Sequence, residues 1–184
     1  MSAPYDPRIV ANLLLDVADE MQTKVSNLAL QKLLYFSHAH LLIERKFSLI
    51  RGGFEAWKYG PVQPAVYLAF RSNADRAICT RAVGRNVITG VERSLPKLEH
   101  PLVRHYIKRV VTAYGRMTPG RLVELTHASN APWHYVVKIA ENSPVLGRHI
   151  GDDVISARFA HHKIPIGLLP TVGEPSEDTP ITGY

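Results

Sequence analysis

The stretch that most constrains this chain is Asn27 to Arg45, NLALQKLLYFSHAHLLIER. Leu30, Leu33, Leu34, Leu41 and Leu42 recur at helical spacing, and Leu28, Tyr35, Phe36 and Ile43 carry apolar surface most of the way round the same helix. Only Lys32 interrupts it before Glu44. A helix this apolar needs neighbours on several sides, so the spacing predicts a buried central helix with the rest of the chain wrapped around it. Ser26 and Asn27 supply the short polar side chains that cap a first turn, and the apolar spacing stops at Glu44-Arg45-Lys46.

Gln31, Tyr35 and His38 fall at i, i+4 and i+7, which places three hydrogen-bonding groups along one side of this rod. Buried polar groups normally find partners, so bonding to neighbouring core elements is the first reading. A polar strip facing a partner is the second.

Other elements follow from local signals. Asp6-Pro7 is a cap followed by proline at the first helical position, and Val10, Leu13, Leu14, Val17, Ala18 and Met21 continue as one face. Phe54 and Ala56 alternate as a short extended piece; Gly60-Pro61 is expected to turn the chain, with a helix starting over Pro61–Pro64 and running through Val66 and Phe70. Trp57, Tyr59 and Tyr67 are expected to serve core and turn packing rather than a ligand cage. Two short strands are expected at Ala77–Val83 and Asn86–Val91, linked around Gly84-Arg85. Helices follow from about Glu99 to Tyr114, from Thr118-Pro119 to His127, from Pro132 onward, and from Asp152-Asp153, with a loop over Glu141–Gly147. The fold class is therefore mainly α: one compact helical domain over residues 1–162 with a minor β-hairpin, and an extended proline-containing tail over 163–184.

A length of 184 residues suits one domain. The single cysteine, Cys79, can form no internal disulfide and no cysteine-based zinc site, and no segment approaches the roughly twenty apolar residues that span a bilayer. A soluble cytoplasmic protein is expected, without contact with a membrane. The formal charge is +6, and its placement says more than its size. Residues 71–121 hold eleven Lys/Arg against three Asp/Glu, whereas residues 1–70 are nearly balanced. An acidic partner is implied, either nucleic acid or an acidic protein surface. The absence of an Arg-rich helix-turn-helix pattern and of an RNP-like aromatic strand counts against nucleic acid.

Catalytic signals are weak. No HExxH, no phosphate-binding GxxxxGK[ST] and no GxSxG elbow occur, and the nine histidines lack metal-ligand spacing, so neither metal nor cofactor is expected. His127, next to Thr126 and upstream of Trp133, is the best acid–base suspect; a helix-end histidine packed under a tryptophan explains it without chemistry.

Three stretches taken together resemble a known family: Asn27 to His38 (NLALQKLLYFSH), Phe54 to Tyr67 (FEAWKYGPVQPAVY) and Leu125 to Trp133 (LTHASNAPW). Gln31, Lys32, Tyr35, His38, Trp57, Tyr59, Gly60, Pro61, Pro64, Tyr67, Thr126, His127, Pro132 and Trp133 carry the likeness, in the order of the Panacea domain, the SocA-like or phage-associated GepA-like antitoxin domain. The resemblance implies an antitoxin, not an enzyme, whose partner is a cognate toxin protein. In the SocA-like branch it implies a proteolytic adaptor that delivers the toxin to the ClpXP protease. Within that reading Arg81, Arg85, Arg104 and Lys108 of the basic middle segment are the expected toxin-binding residues. The rival classes are a basic DNA-binding regulator and a hydrolase dependent on His127.

Overall fold

In the computed structural model, residues 2–86, 88–142 and 148–162 are described. They form seven α-helices and two small antiparallel sheets: α1 Pro7–Glu20, α2 Asn27–Arg45, β1 Phe54–Trp57, β2 Gly60–Val62, α3 Pro64–Phe70, β3 Val83–Arg85, β4 Glu92–Ser94, α4 Pro101–Tyr114, α5 Pro119–Thr126, α6 Pro132–Asn142, β5 His149–Ile150 and α7 Asp152–Arg158. A mainly helical chain with a minor β component is thus observed.

Helix starts follow the cap chemistry. Asp6, Ser26 and Thr118 each accept a first-turn amide, and Pro7 and Pro119 occupy positions where a missing N–H costs nothing. Helix α2 ends where Lys46 turns left-handed, at φ 54°. Leu30, Leu33, Leu34, Tyr35, Phe36, Ala39 and Leu41 of α2 are all buried, and α1, α4, α5 and α7 pack on it. Val10, Leu14 and Val17 of α1 and Val103, Ile107, Val110 and Val111 of α4 supply facing apolar stripes of the same core.

Two expectations need correction. Gly60 and Pro61 do not turn the chain: they lie in β2, paired with Trp57 and Ala56 of β1, and the turn is at Lys58-Tyr59. Gly60 has φ 99°, open to glycine at little cost, so a sequence signal for a turn was a strand entry. The following helix starts at Pro64, capped by Gln63, at the end of the expected Pro61–Pro64 start. The second hairpin is also shifted. Gly84-Arg85 are part of β3 and the connection runs through 86–91, because Ile78 and Ala82 are drawn into the core rather than into a ladder. A third strand, β5, pairs with the outer edge of β1 (Phe54 with Ile150) and was not anticipated. Residues 143–147 of the expected loop, and the tail 163–184, lie outside the described residues.

A motif cluster around a buried lysine and a cationic flank

The three family-like stretches, far apart in the chain, meet. Gln31 of α2 accepts the Gln63 amide at 2.9 Å and donates to Asn27 at 3.3 Å, while the Gln63 side chain accepts the Ala65 and Val66 amides that open α3. One turn of buried glutamines thereby sets where β2 ends and α3 begins. Next to it Lys32, fully buried, donates from Nζ to the Pro61 carbonyl at 3.2 Å. A lysine without solvent is tolerable only where its charge is met by oriented acceptors.

Gly60 explains why the second stretch needs glycine here. Besides its left-handed φ, a Cβ would collide with the Thr126 hydroxyl and press on Lys32 Cε and Nζ. Thr126, also fully buried, closes its own hydroxyl onto the Val123 carbonyl at 2.8 Å. Pro132 starts α6, whose Trp133 donates from Nε1 to the Trp57 carbonyl at 2.7 Å and so ties the third stretch to β1. Trp57 itself donates to Glu55 and meets Tyr67 edge-on at 4.7 Å; Pro64 is the first residue of α3; and Tyr59, at the hairpin turn, lies under Lys58 Nζ at 5.1 Å.

Tyr35 and His38 complete the polar side of α2. Because the Leu125 carbonyl can only accept, His162 Nδ1 donates to it at 2.8 Å, which leaves Nε2 to accept the Tyr35 hydroxyl at 2.9 Å. The neutral tautomer fits the electrostatics: burial pushes His162 down to about 4 and the Tyr35 phenol well up. His38 accepts the Ile50 amide on Nδ1, so its Nε2 donates to Asp152 at 2.9 Å, and this bond leads the lowering of the Asp152 carboxyl. All three side chains bond to neighbouring elements; they are interior latches, not a strip turned outward.

His127 stacks on Trp133 with ring centroids 3.7 Å apart and planes 9° from parallel. Burial first, then the positive charges of Lys32 and His134, hold it down to about 4. Its buried Nε2 has no hydrogen-bond partner among the described residues. A proton relay needs a group to hand the proton to, and the described residues place none at that nitrogen. Among the described residues no group of three or more His, Cys, Asp or Glu is placed to hold a metal, and no helix is long and apolar enough to cross a membrane.

The four cations expected to meet a partner lie elsewhere. Arg81 joins Asp16 at 2.7 Å and Asp19 at 2.5 Å, and Arg104 joins Glu20, so both clamp onto the outer side of α1. These two line one groove of about 600 Å³, floored by Ile9, Leu13, Leu95 and Leu98. Arg85 is on the β3–β4 hairpin, bonded to the Gly90 carbonyl, and Lys108 is on the outer face of α4, without an ion pair among the described residues. The structure brings Arg81 and Arg104 together; Arg85 and Lys108 stand apart from that groove. Arg109, one of the eleven basic residues of 71–121, has a pairing that spacing does not show: it grips Glu44 through two nitrogens at 2.9 and 3.2 Å and holds that carboxyl down to about 2.

Residues 30–134, most of this cluster, match the family described as Antitoxin SocA-like, Panacea domain. The chain is also 39% identical over 175 residues to Antitoxin SocA of Caulobacter vibrioides (strain NA1000 / CB15N), covering 95% of this chain and 93% of that relative. No solved structure matches it. With its motif residues converging in one interior and its similarity running nearly end to end, the chain belongs to the SocA-like, Panacea-domain family of antitoxins, which are not enzymes.

Proposed function

We propose that this chain is the antitoxin of a toxin–antitoxin pair, acting in the cytoplasm, that it silences a cognate toxin by binding it, and that it serves as the adaptor handing that toxin to the ClpXP protease. The observation that carries the reading is the 39% identity to Antitoxin SocA across 95% of the chain. Toxin capture is assigned to Arg81, Arg85, Arg104 and Lys108. The Arg104 pair is solvent-exposed and the half-buried Arg81 faces exposed carboxylates, and exposed pairs contribute little to stability, so an acidic partner can exchange with Asp16, Asp19 and Glu20. The tail from 163 to 184, with Glu174, Glu177 and Asp178, is assigned as the protease tether.

The test uses the full-length chain and the protein encoded by the adjoining reading frame. The two are expected to copurify as a complex. Reversing Arg85 and Lys108 together disturbs the fold least, because neither is in an ion pair among the described residues and Arg85 has only Glu92 opposite it in the β3–β4 ladder; it should weaken binding and flatten its salt dependence. Removing Thr171–Tyr184 should leave the complex intact and stop its degradation by ClpXP with ATP. Failure of the wild-type chain to bind that protein removes the antitoxin reading, while undiminished degradation removes only the tether.

A further inference from the structure

We infer that the β3–β4 hairpin is an arm that enters the toxin, and that it fits an apolar socket with an acidic rim there; this rests on the antitoxin reading above. Most of its described residues are exposed. Ile88 is 95% exposed, Val91 51% and Val83 39%, and every residue of β4 is exposed. A two-stranded hairpin is marginal by itself, and large apolar side chains in water bring no stability to the fold that carries them.

The arm is nevertheless built, not loose. At its root Asn12 of α1 bonds both ways with Ala82, donating to its carbonyl at 2.9 Å and accepting its amide at 2.8 Å, and Arg8 donates to the Val83 carbonyl at 3.5 Å. At its tip the Asn86 carboxamide oxygen accepts the Ile88 and Thr89 amides at 2.9 and 3.0 Å, and the Asn86 backbone bonds Val91 and Gly90, each at 2.9 Å. Such a turn holds Ile88 in place before any partner arrives, which lowers the ordering cost of binding.

Its chemistry selects the partner. Ile88 stands at the tip; below it Val83 and Arg85 share one face of the ladder, with Glu92 opposite Arg85, and Arg93 is on the other face, neither arginine being in an ion pair among the described residues. An apolar tip with an arginine on each face behind it is the composition of a protein interface, and guanidinium groups on both faces call for carboxylates around the rim of the socket it enters. Two cations are few for nucleic acid, whose affinity grows with the number of phosphates neutralised. A second copy of the chain would set like charges against each other.

Binding of the adjoining frame's product to the full chain is measured for wild type, Ile88→Asp, and Arg85→Glu with Arg93→Glu, with circular dichroism and the melting transition as folding controls. Wild type is expected to bind, Ile88→Asp to lose about ten-fold or more in affinity, and the double reversal to lose several-fold more at low salt than at high. If wild type binds and Ile88→Asp binds equally well, the arm is overturned and the antitoxin reading survives; if wild type does not bind, both fall. Duplex DNA retained by wild type and released by Ile88→Asp, or a dimer of this chain abolished by it, would also overturn the socket.

Discussion

The motif cluster on α2 and the β3–β4 arm are opposite solutions to placing side chains. In the cluster, Gln31, Lys32, Tyr35 and His38 are buried and bonded to Gln63, Pro61, His162 and Asp152, contributed by three other parts of the chain. In the arm, Ile88 and Val91 face water while the backbone beneath them is fixed at root and tip. Gln31, Lys32, Tyr35 and His38 thus build a scaffold, and the exposed apolar residues of the arm lie between the three family-like stretches of the chain. A buried polar network specifies one arrangement because each wrong one strands a donor or acceptor. An exposed arm carries no such penalty.

The contrast breaks first at Phe36. It stacks on Tyr114 at 4.7 Å and meets Tyr35, Phe159 and His162 edge-on, at the centre of the α2 surroundings. Phe36→Ala is expected to cost about 3–5 kcal/mol in chemical denaturation. A loss below about 1 kcal/mol would mean that the cluster is far looser than its burial says. Gly60→Ala comes next. Its φ of 99° strains any side chain, and the new Cβ meets the Thr126 hydroxyl and the Lys32 stem, so about 2–4 kcal/mol is expected. Reducing Thr126 to Ser leaves that hydroxyl in place, and so should not rescue Gly60→Ala; rescue would point to the Thr126 methyl as the obstacle.

Acid distinguishes the two regions in a third way. His127 and His162 sit at about 4 in the folded chain against 6.5 ordinarily. Between those values the unfolded chain binds more protons, so stability is complete above 6.5 and falls as pH drops toward 4. The loss is on the order of 1–3 kcal/mol per histidine. His127→Phe keeps the stack on Trp133 and removes both the titration and the unpartnered Nε2. Its melting temperature should therefore fall less than that of wild type between pH 7 and pH 5, and an equal fall would show that His127 is not held neutral by its surroundings.

Much of the scaffold was legible because its signals are local. Asp6-Pro7, Ser26 and Thr118-Pro119 name helix starts by the chemistry of the first turn, and α2 ends where the apolar spacing stops. What spacing cannot carry is a contact across the chain. Lys32 reads as the single polar interruption of an apolar rod until the Pro61 carbonyl, 29 positions on, is brought to it. Gly60-Pro61 and Gly84 look like turns in the sequence because glycine marks unusual backbone without saying whether a turn or a strand requires it. The basic excess of residues 71–121 was visible, but Arg81 and Arg104 look alike with Arg85 and Arg93 in a charge count. Only the fold shows that the first two face carboxylates of α1.

The smallest effect is the sharpest test of the contrast. Ile88→Asp puts a charge where a side chain is already 95% in water, so no cavity forms, no buried group loses a partner, and the Asn86 turn beneath it uses only the Ile88 amide. The free energy of unfolding should stay within about 0.5 kcal/mol of wild type, against several for Phe36→Ala. Neither result depends on a partner being present. If Ile88→Asp instead costs a kcal/mol or more in the isolated chain, then Ile88 is folded against its own protein in solution, and the arm belongs to the scaffold after all.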